Sequence, residues 1–370
     1  MGAILQCAGR AVSSRHGARA MDFFGKPQAI SGRGRPLVGS ISVAASVMCR
    51  IRSPISPREE RLMQLRIFTE PQQGASYDEL LAVAKEAERV GFDGFFRSDH
   101  YLKMEQADAR PAYTDAWITL AGLARDTERV RLGTLVSPVT FRELGAFPLL
   151  VAQVDHMSGG RVEVGVGAGW FEEEHANYGI AFPAVNGRYD ALEDQLEILH
   201  GLWSAGGATF SYSGHTTHVE LDVAPLSPLQ HPHPPIIVGG NGGQRNASLA
   251  ARFADEFNRA FASLDESVRS GEAVRQACSA IGRDPATMIF SIAQTCVCGT
   301  DEAELARRAA NIGRNVEDLR KNAIAGTPEE VRDQLARWEA AGFARCYLQL
   351  LDLRDLEHVA LLGTELIGPR

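Results

Sequence analysis

The chain has 370 residues, 45% hydrophobic and 23% charged, with 36 Gly, 17 Pro and a formal net charge of −8, a profile that excludes collagen-like, disulfide-scaffold and largely disordered classes. The charge is uneven: residues 1–62 hold ten basic and three acidic side chains (+7), leaving −15 for the rest, so no nucleic-acid partner is expected. No apolar run approaches the ~20 residues that span a bilayer, which argues against a membrane protein.

Residues 1–62 mix Gly, Ser, Pro and Arg without a regular period, apart from a weakly apolar Leu37–Met48. A signal-like stretch, an organelle transit peptide and a disordered or spurious extension compete for this segment, and the extension is the expectation adopted. Met63 opens the patterned part, so 63–370 is taken as one domain.

From there strands and helices alternate. Leu65–Glu70 reads as a strand. Ser76-x-x-Glu79 then caps a helix whose buried face carries Leu80, Val83, Ala84, Ala87 and Val90, and Gly91 ends it. Further strands are expected at Asp93–Arg97, Val130–Ser137, Arg161–Gly167, Pro235–Gly239, Asp255–Arg259, Met288–Gln294 and Arg345–Leu351. Helices are expected at Asp115–Arg125, Gly187–Trp203, Asp265–Ile281 and Glu329–Ala341, the last introduced by Thr327, Pro328 and Glu330. Eight buried strands alternating with helices favour a closed (β/α)8 TIM barrel over a doubly wound sheet. Two inserts interrupt the cycle after the fourth strand and before the fifth: Trp170–Asn186, and Thr209–Leu221 with a Ser213-Gly214 hairpin turn. Both are expected to cover the mouth.

The six cysteines are scattered, with Cys296-Val297-Cys298 as the one close pair. Reduced thiols and a cytoplasmic location are therefore expected. His231/His233 and His215/His218 have no carboxylate to complete a ligand set, so no metal is expected. No Gly-x-Ser-x-Gly elbow is present, which disfavours a nucleophilic hydrolase.

In a barrel, chemistry collects at the C-terminal strand ends. After the second strand comes Arg97-Ser98-Asp99-His100, a pair able to move a proton. The third ends in Gly133-Thr134-Leu135-Val136-Ser137-Pro138, small and branched residues against which a planar ring can lie, although on spacing alone an ordinary buried strand ending in a Pro turn is the better reading. The fourth ends in Gly165-Val-Gly167-Ala-Gly169-Trp170. Trp170 takes the last Gly position of a dinucleotide fingerprint and weakens that reading; the glycines point instead to close approach of something flat, with Trp170 stacking on it. Phe171-Glu172-Glu173-Glu174-His175 follows, a run that reads first as a solvated face. The fifth ends in Gly240-Asn241-Gly242-Gly243-Gln244-Arg245, whose amides suit an anion, with Arg245 as a clamp.

Leu65–Gly74, Phe95–Leu102, Ser158-Gly-Gly-Arg through His175, and Pro235–Gly240 together resemble the luciferase-like monooxygenase superfamily, most closely its coenzyme F420-dependent oxidoreductases. The likeness runs from about Leu65 to Leu366 and leaves out 1–62. It implies a (β/α)8 barrel holding a flavin or deazaflavin at the strand ends, with Asp99 and His100 beside the reactive ring carbon and Asp99 setting the orientation of His100. It further implies a non-prolyl cis peptide at Thr134–Leu135 behind the ring, with Ser137 nearby, and a phosphate loop of Gly240, Gly242, Gly243 and Gln244. Where some relatives carry a Glu proton donor this chain has Trp170, so Glu173, Glu174 and His175 are candidates, with Glu173 preferred. Arg142, Arg188 and Arg245 are candidates for the cofactor tail. F420 is the expected cofactor and FMN the alternative, which would make the protein an FMNH2-dependent monooxygenase; a non-catalytic flavin-binding barrel is the third reading. A small-molecule substrate and a homo-oligomer are expected.

Overall fold

The computed structural model describes residues 63–104 and 113–368; the expectations for 1–62, and for Cys7 and Cys49, lie outside the described residues. The strands are β1 (Gln64–Thr69), β2 (Gly94–Arg97), β3 (Arg131–Thr134), β4 (Ser137–Pro138), β5 (Val162–Gly167), β6 (Phe210–Ser213), β7 (His218–Leu221), β8 (Ile236–Gly239), β9 (Glu256–Ala260), β10 (Ile289–Cys298), β11 (Ile324–Gly326) and β12 (Arg345–Leu350). The helices are α1 (Tyr77–Val90), α2 (Ala116–Asp126), α3 (Phe147–Ser158), α4 (Glu172–Tyr178), α5 (Val185–Ser204), α6 (Gln244–Phe253), α7 (Leu264–Ala280), α8 (Glu302–Asn311), α9 (Val316–Asn322), α10 (Pro328–Ala340) and α11 (Leu356–Leu362).

Parallel pairing runs β10–β12–β1–β2–β3–β5–β8–β9 and returns from β9 to β10. The ring is closed: a (β/α)8 barrel. The eight expected strands are its staves, and the capping boxes at Ser76 and Thr327 are both made. Two local details differ. The expected strand Val130–Ser137 is split into β3 and β4 by a bulge, and the sequence reading passed over β11, a short strand on the outer extension of β10.

Alternation along each strand divides its residues between two cores. Leu65, Ile67, Val164, Val238, Ile292 and Leu348 face the helices. Phe68, Phe96, Leu135, Ile237, Ala293 and Tyr347 meet inside the barrel. Nearer the N-terminal strand ends the interior is ionic. Arg66 forks onto Glu163 at 2.6 and 2.9 Å, Arg131 and Arg345 also reach Glu163, and Arg345 pairs with Glu256. Gly94 gives this layer room, since a Cβ there would lie 2.9 Å from Arg66 Cδ. The barrel is thus plugged at one end and open at the other.

The two inserts go different ways. Residues 170–186 stay at the mouth. The β6–β7 hairpin, expected from sequence to cover the mouth, does not: it packs on Ile198 and Leu202 on the outer face of α5. Its turn is tied by the His215 and Thr216 amides, at 2.9 and 2.6 Å, to Asp194 well along that helix. Among the described residues no helix is long and apolar enough to cross a membrane. Cys278, Cys296, Cys298 and Cys346 are buried and unbridged.

Burial raises the pKa of Glu163, but Arg66, Arg345 and Arg131 outweigh it and hold the carboxyl at about 2. Its pairing therefore stabilises the fold fully above the ordinary Glu range, and that contribution is lost as pH falls from there through about 2. Glu163→Gln, which strands a buried guanidinium, should lower unfolding free energy by about 3 kcal/mol or more at neutral pH, with the difference shrinking on acidification, as read by urea unfolding. An unchanged midpoint would contradict this role.

Candidate functional site

The mouth is organised by the end of β2. Asp99 is fully buried and does not touch His100, contrary to the expectation that it orients the ring. Its Oδ2 accepts from Ser137 Oγ at 2.6 Å, and both carboxylate oxygens accept from Arg142. Arg142 also donates to Asp115 Oδ2 at 2.7 Å. Ser137 in turn accepts from Trp117 Nε1 at 3.0 Å. One carboxylate therefore ties together the β2 loop, β4, the segment before α3 and, through Arg142, the N-cap of α2. Burial pushes the Arg142 pKa down, but Asp99 and then Asp115 outweigh it and raise it. Arg142 is held in this network rather than offered to an anion.

The bulge lies just above this clamp. The cis peptide is Leu135–Val136, one residue later than expected. Leu135 N still donates to Arg97 O at 2.9 Å, so regular β2 pairing reaches Leu135 before the chain departs. Thr134 turns outward, its hydroxyl donating to Gly165 O at 3.0 Å. Gly165 and Gly167 admit the bulge, because Cβ atoms there would lie 2.1 Å from Thr134 O and 2.8 Å from Val136 Cγ2. Together they leave a flat platform of backbone and Leu135–Val136 side chains.

His100 is oriented by Glu174. Its Nδ1 lies 2.9 Å from Glu174 Oε1, and Glu174 Oε2 accepts from Tyr101 N at 3.0 Å. An ionised carboxylate only accepts, so Nδ1 carries the proton, and Nε2 has no hydrogen-bond partner among the described residues. Glu174 is buried, whereas Glu173, the preferred candidate, is exposed. The helical period explains the difference: α4 turns Glu174 and His175 inward and Glu172 and Glu173 outward. His175 anchors that helix through Phe171 O at 2.7 Å and Thr140 Oγ1 at 2.6 Å. Trp170 is 64% exposed and stacks on Phe171, with the His100 ring edge-on at 5.9 Å. It remains free to cover a ligand.

The 240–243 loop is only partly as expected. Gly240 (φ 159) and Gly242 (φ 72) take backbone conformations suited to glycine. The Gly242 and Gly243 amides, however, already donate to Asn246 Oδ1 (2.9 Å) and Asn241 Oδ1 (3.0 Å). The amides left for an anion are those of the first turn of α6, from Gln244 to Asn246. Arg245 is drawn away to Asp190 at 2.7 Å and Asn186 O at 3.1 Å, so it is no clamp. Arg188 lies over Phe182 at 3.9 Å. Arg259 was missed by sequence reasoning, which ended a strand on it. It is half-buried, forms no ion pair within 4 Å among the described residues, and has an unpartnered Nε. Ser267 Oγ on α7 is likewise buried without a partner. Ser270 on the same helix bonds Asn241 O at 2.8 Å, which places the start of α7 beside the loop. Asp99 and Gly242 thus lie at the same end of the barrel.

A family model described as luciferase-like monooxygenase matches residues 62–317. The chain is 30% identical over 244 residues to the F420-dependent hydroxymycolic acid dehydrogenase of Mycobacterium tuberculosis, an alignment covering 64% of this chain and 63% of that protein. The chain spans 45 to 64% of the length of the first curated relatives it matches. Its fold is similar to that of an F420-dependent secondary alcohol dehydrogenase solved with an F420–acetone adduct (TM-score 0.69, 20% identity, 83% of this chain and 99% of that one). It is equally similar to the oxygenating constituent of 3,6-diketocamphane monooxygenase of Pseudomonas putida, solved with FMN (TM-score 0.69, 18% identity, 82% and 98%).

The close approach at the bulge sets a test. Gly165→Ala should cost about 1–3 kcal/mol of unfolding free energy by overpacking against Thr134 O. Gly187→Ala, on α5 with its nearest atom 3.3 Å from the new methyl, should not. Equal urea midpoints for the two variants would contradict the packing described.

Proposed function

The chain belongs to the luciferase-like monooxygenase family, and we propose that it is a coenzyme F420-dependent oxidoreductase that moves a hydride between the deazaflavin and a small organic substrate. The observation that carries this reading is His100, held by the buried Glu174 beside the Leu135–Val136 platform. A proton-transfer group thus stands next to a surface shaped for a flat ring.

The residues present fit such a cofactor. Gly165 and Gly167 leave room that a Cβ would fill. The first-turn amides of α6 and Arg259, with its unpartnered Nε, suit an anionic tail, and the unpartnered Ser267 hydroxyl is on the same helix as Ser270, which bonds Asn241 O of that loop. Leu135, Val136 and Gly167 would back the ring, Ser137 would hold its support, and Trp170 would cover the edge. Gly240, Gly242 and Gly243 would shape the tail loop, with Gln244 at its helix end.

When bound, the deazaflavin supplies the carbon that gives or takes the hydride. The chain supplies the proton chemistry. In alcohol oxidation, His100 Nε2 takes the hydroxyl proton, and Glu174 stabilises the imidazolium so formed through its bond to Nδ1. Asp99 acts at one remove, by fixing Ser137 and Arg142 beneath the platform. Trp170 and Phe171 limit water around the imidazole. Reduction of a ketone runs the same steps in reverse. The relative named for F420 supports the deazaflavin choice, and the FMN-bound fold neighbour makes FMN the alternative.

Titrating the protein separately with F420 and with FMN while following Trp fluorescence tests the cofactor. Saturation by F420 in the micromolar range is expected, and saturation by FMN alone would replace this reading with an FMN-dependent monooxygenase. His100→Ala should leave cofactor affinity nearly intact and lower turnover ~10²-fold or more. Lost affinity with unchanged turnover would mean that His100 binds the cofactor and does not move the proton.

A further inference from the structure

Past the end of β2 the side chains keep alternating. Asp99 points beneath the platform, His100 turns the other way to Glu174, and Tyr101 returns to the side of Asp99. The Tyr101 hydroxyl donates to Asp115 Oδ2 at 2.6 Å, the oxygen that also accepts from Arg142 at 2.7 Å. Its main-chain N–H donates to Glu174 Oε2 at 3.0 Å. Tyr101 is therefore bonded to both halves of the site. Its side chain holds the Asp99–Arg142–Asp115 clamp, and its main chain holds the carboxylate that orients His100.

Donor and acceptor are both in the state this bond needs. Burial, and then Asp99, push the Tyr101 pKa up against the pull of Arg142, so the hydroxyl keeps its proton. Burial also raises the pKa of Asp115, but Arg142 and the Tyr101 hydroxyl outweigh it and hold the carboxyl below its ordinary range. An O–H donating to a carboxylate is about twice as strong as a bond between neutral groups. The ring is stacked on Phe141, with centroids 4.6 Å apart and planes within 9°, and Tyr178 at the end of α4 lies 5.4 Å away. Stacking sets the height of the ring over Phe141 more than its position within that plane. The hydroxyl bond fixes the second, and so fixes where the main-chain N–H stands. The terminal torsion of a Glu side chain is broad, so Glu174 Oε1 faces His100 Nδ1 only while Oε2 is anchored.

We propose that Tyr101 is a positioning residue for the proton step: its hydroxyl, held by Asp115, places the N–H that anchors Glu174, and Glu174 then keeps the His100 ring with Nε2 available to the substrate. The proposal rests on the redox reading above. Under it, the support for the flat ring and the group that moves the proton share one side chain, which keeps the two in register. Tyr101 does this without touching substrate or cofactor.

The test follows the Nδ1 proton of His100 by NMR on protein carrying isotope-labelled histidine, the resonance being assigned by its loss in His100→Ala. Tyr101→Phe keeps the ring and the main-chain N–H and removes the hydroxyl alone. Exchange of the Nδ1 proton with water should speed up about tenfold in this variant. Tyr212→Phe makes the same change on the outer face of α5, where the Tyr212 hydroxyl donates to Asp194 at 2.8 Å. It should leave the exchange rate alone. The F420 dissociation constant of Tyr101→Phe, read by calorimetry, should stay within about threefold of wild type, since Arg142 still holds Asp99 and Asp115. Equal exchange in wild type and Tyr101→Phe, an equal rise in Tyr212→Phe, or no protected Nδ1 proton in the wild type would overturn the proposal. So would an F420 affinity lowered about tenfold with exchange unchanged, which would make Tyr101 a support of the platform alone. A protein that does not bind F420, yet shows faster exchange in Tyr101→Phe and not in Tyr212→Phe, would remove the redox reading and leave the positioning assignment standing.

Discussion

The site depends on one buried ion pair, Asp99 with Arg142. Asp99 has no contact with water, so its charge requires the guanidinium and the Ser137 hydroxyl that face it. Those partners come from separate stretches of chain, and Asp115 extends the network to the start of α2. The pair therefore fixes where the third stave turns aside. Removing either partner would leave an uncompensated charge and also release the backbone on which a flat ring would rest.

The barrel differs in character along its axis. Near the N-terminal strand ends, Arg66, Glu163, Arg345 and Glu256 fill the interior with paired charges. Above them lies a thin apolar layer that includes Phe68, Phe96 and Tyr347. Above that the interior opens. Polar side chains can then be placed at the mouth without leaving the closed end poorly packed. His100 shows the result: among the described residues its Nδ1 pairs with Glu174 and its second nitrogen has no hydrogen-bond partner.

Most of the fold was legible because apolar runs, glycine stops and capping boxes mark each βα unit; the Ser76 and Thr327 boxes form as the local sequence dictates. The site was legible only at the level of neighbourhoods. Asp99 and His100 are adjacent in sequence, but at a strand end successive side chains point apart, so their partners come from elsewhere. Glu174 could have been preferred over Glu173 from the helical period, since it shares the inward face with His175. The loss of Arg245 to Asp190 depends on where α5 packs, a contact across 55 residues that no local pattern announces. The hairpin's place on the outer face of α5 has the same origin, in the acceptor Asp194.

The account is tested most directly by the F420 dissociation constant of Asp99→Asn, with circular dichroism confirming an intact barrel. If the clamp holds the platform, affinity falls about tenfold or more, or about 1.4 kcal/mol, although Asp99 itself is sealed from any ligand. Wild-type affinity in a folded Asp99→Asn protein would show that the platform stands without its ion pair, and would contradict the account.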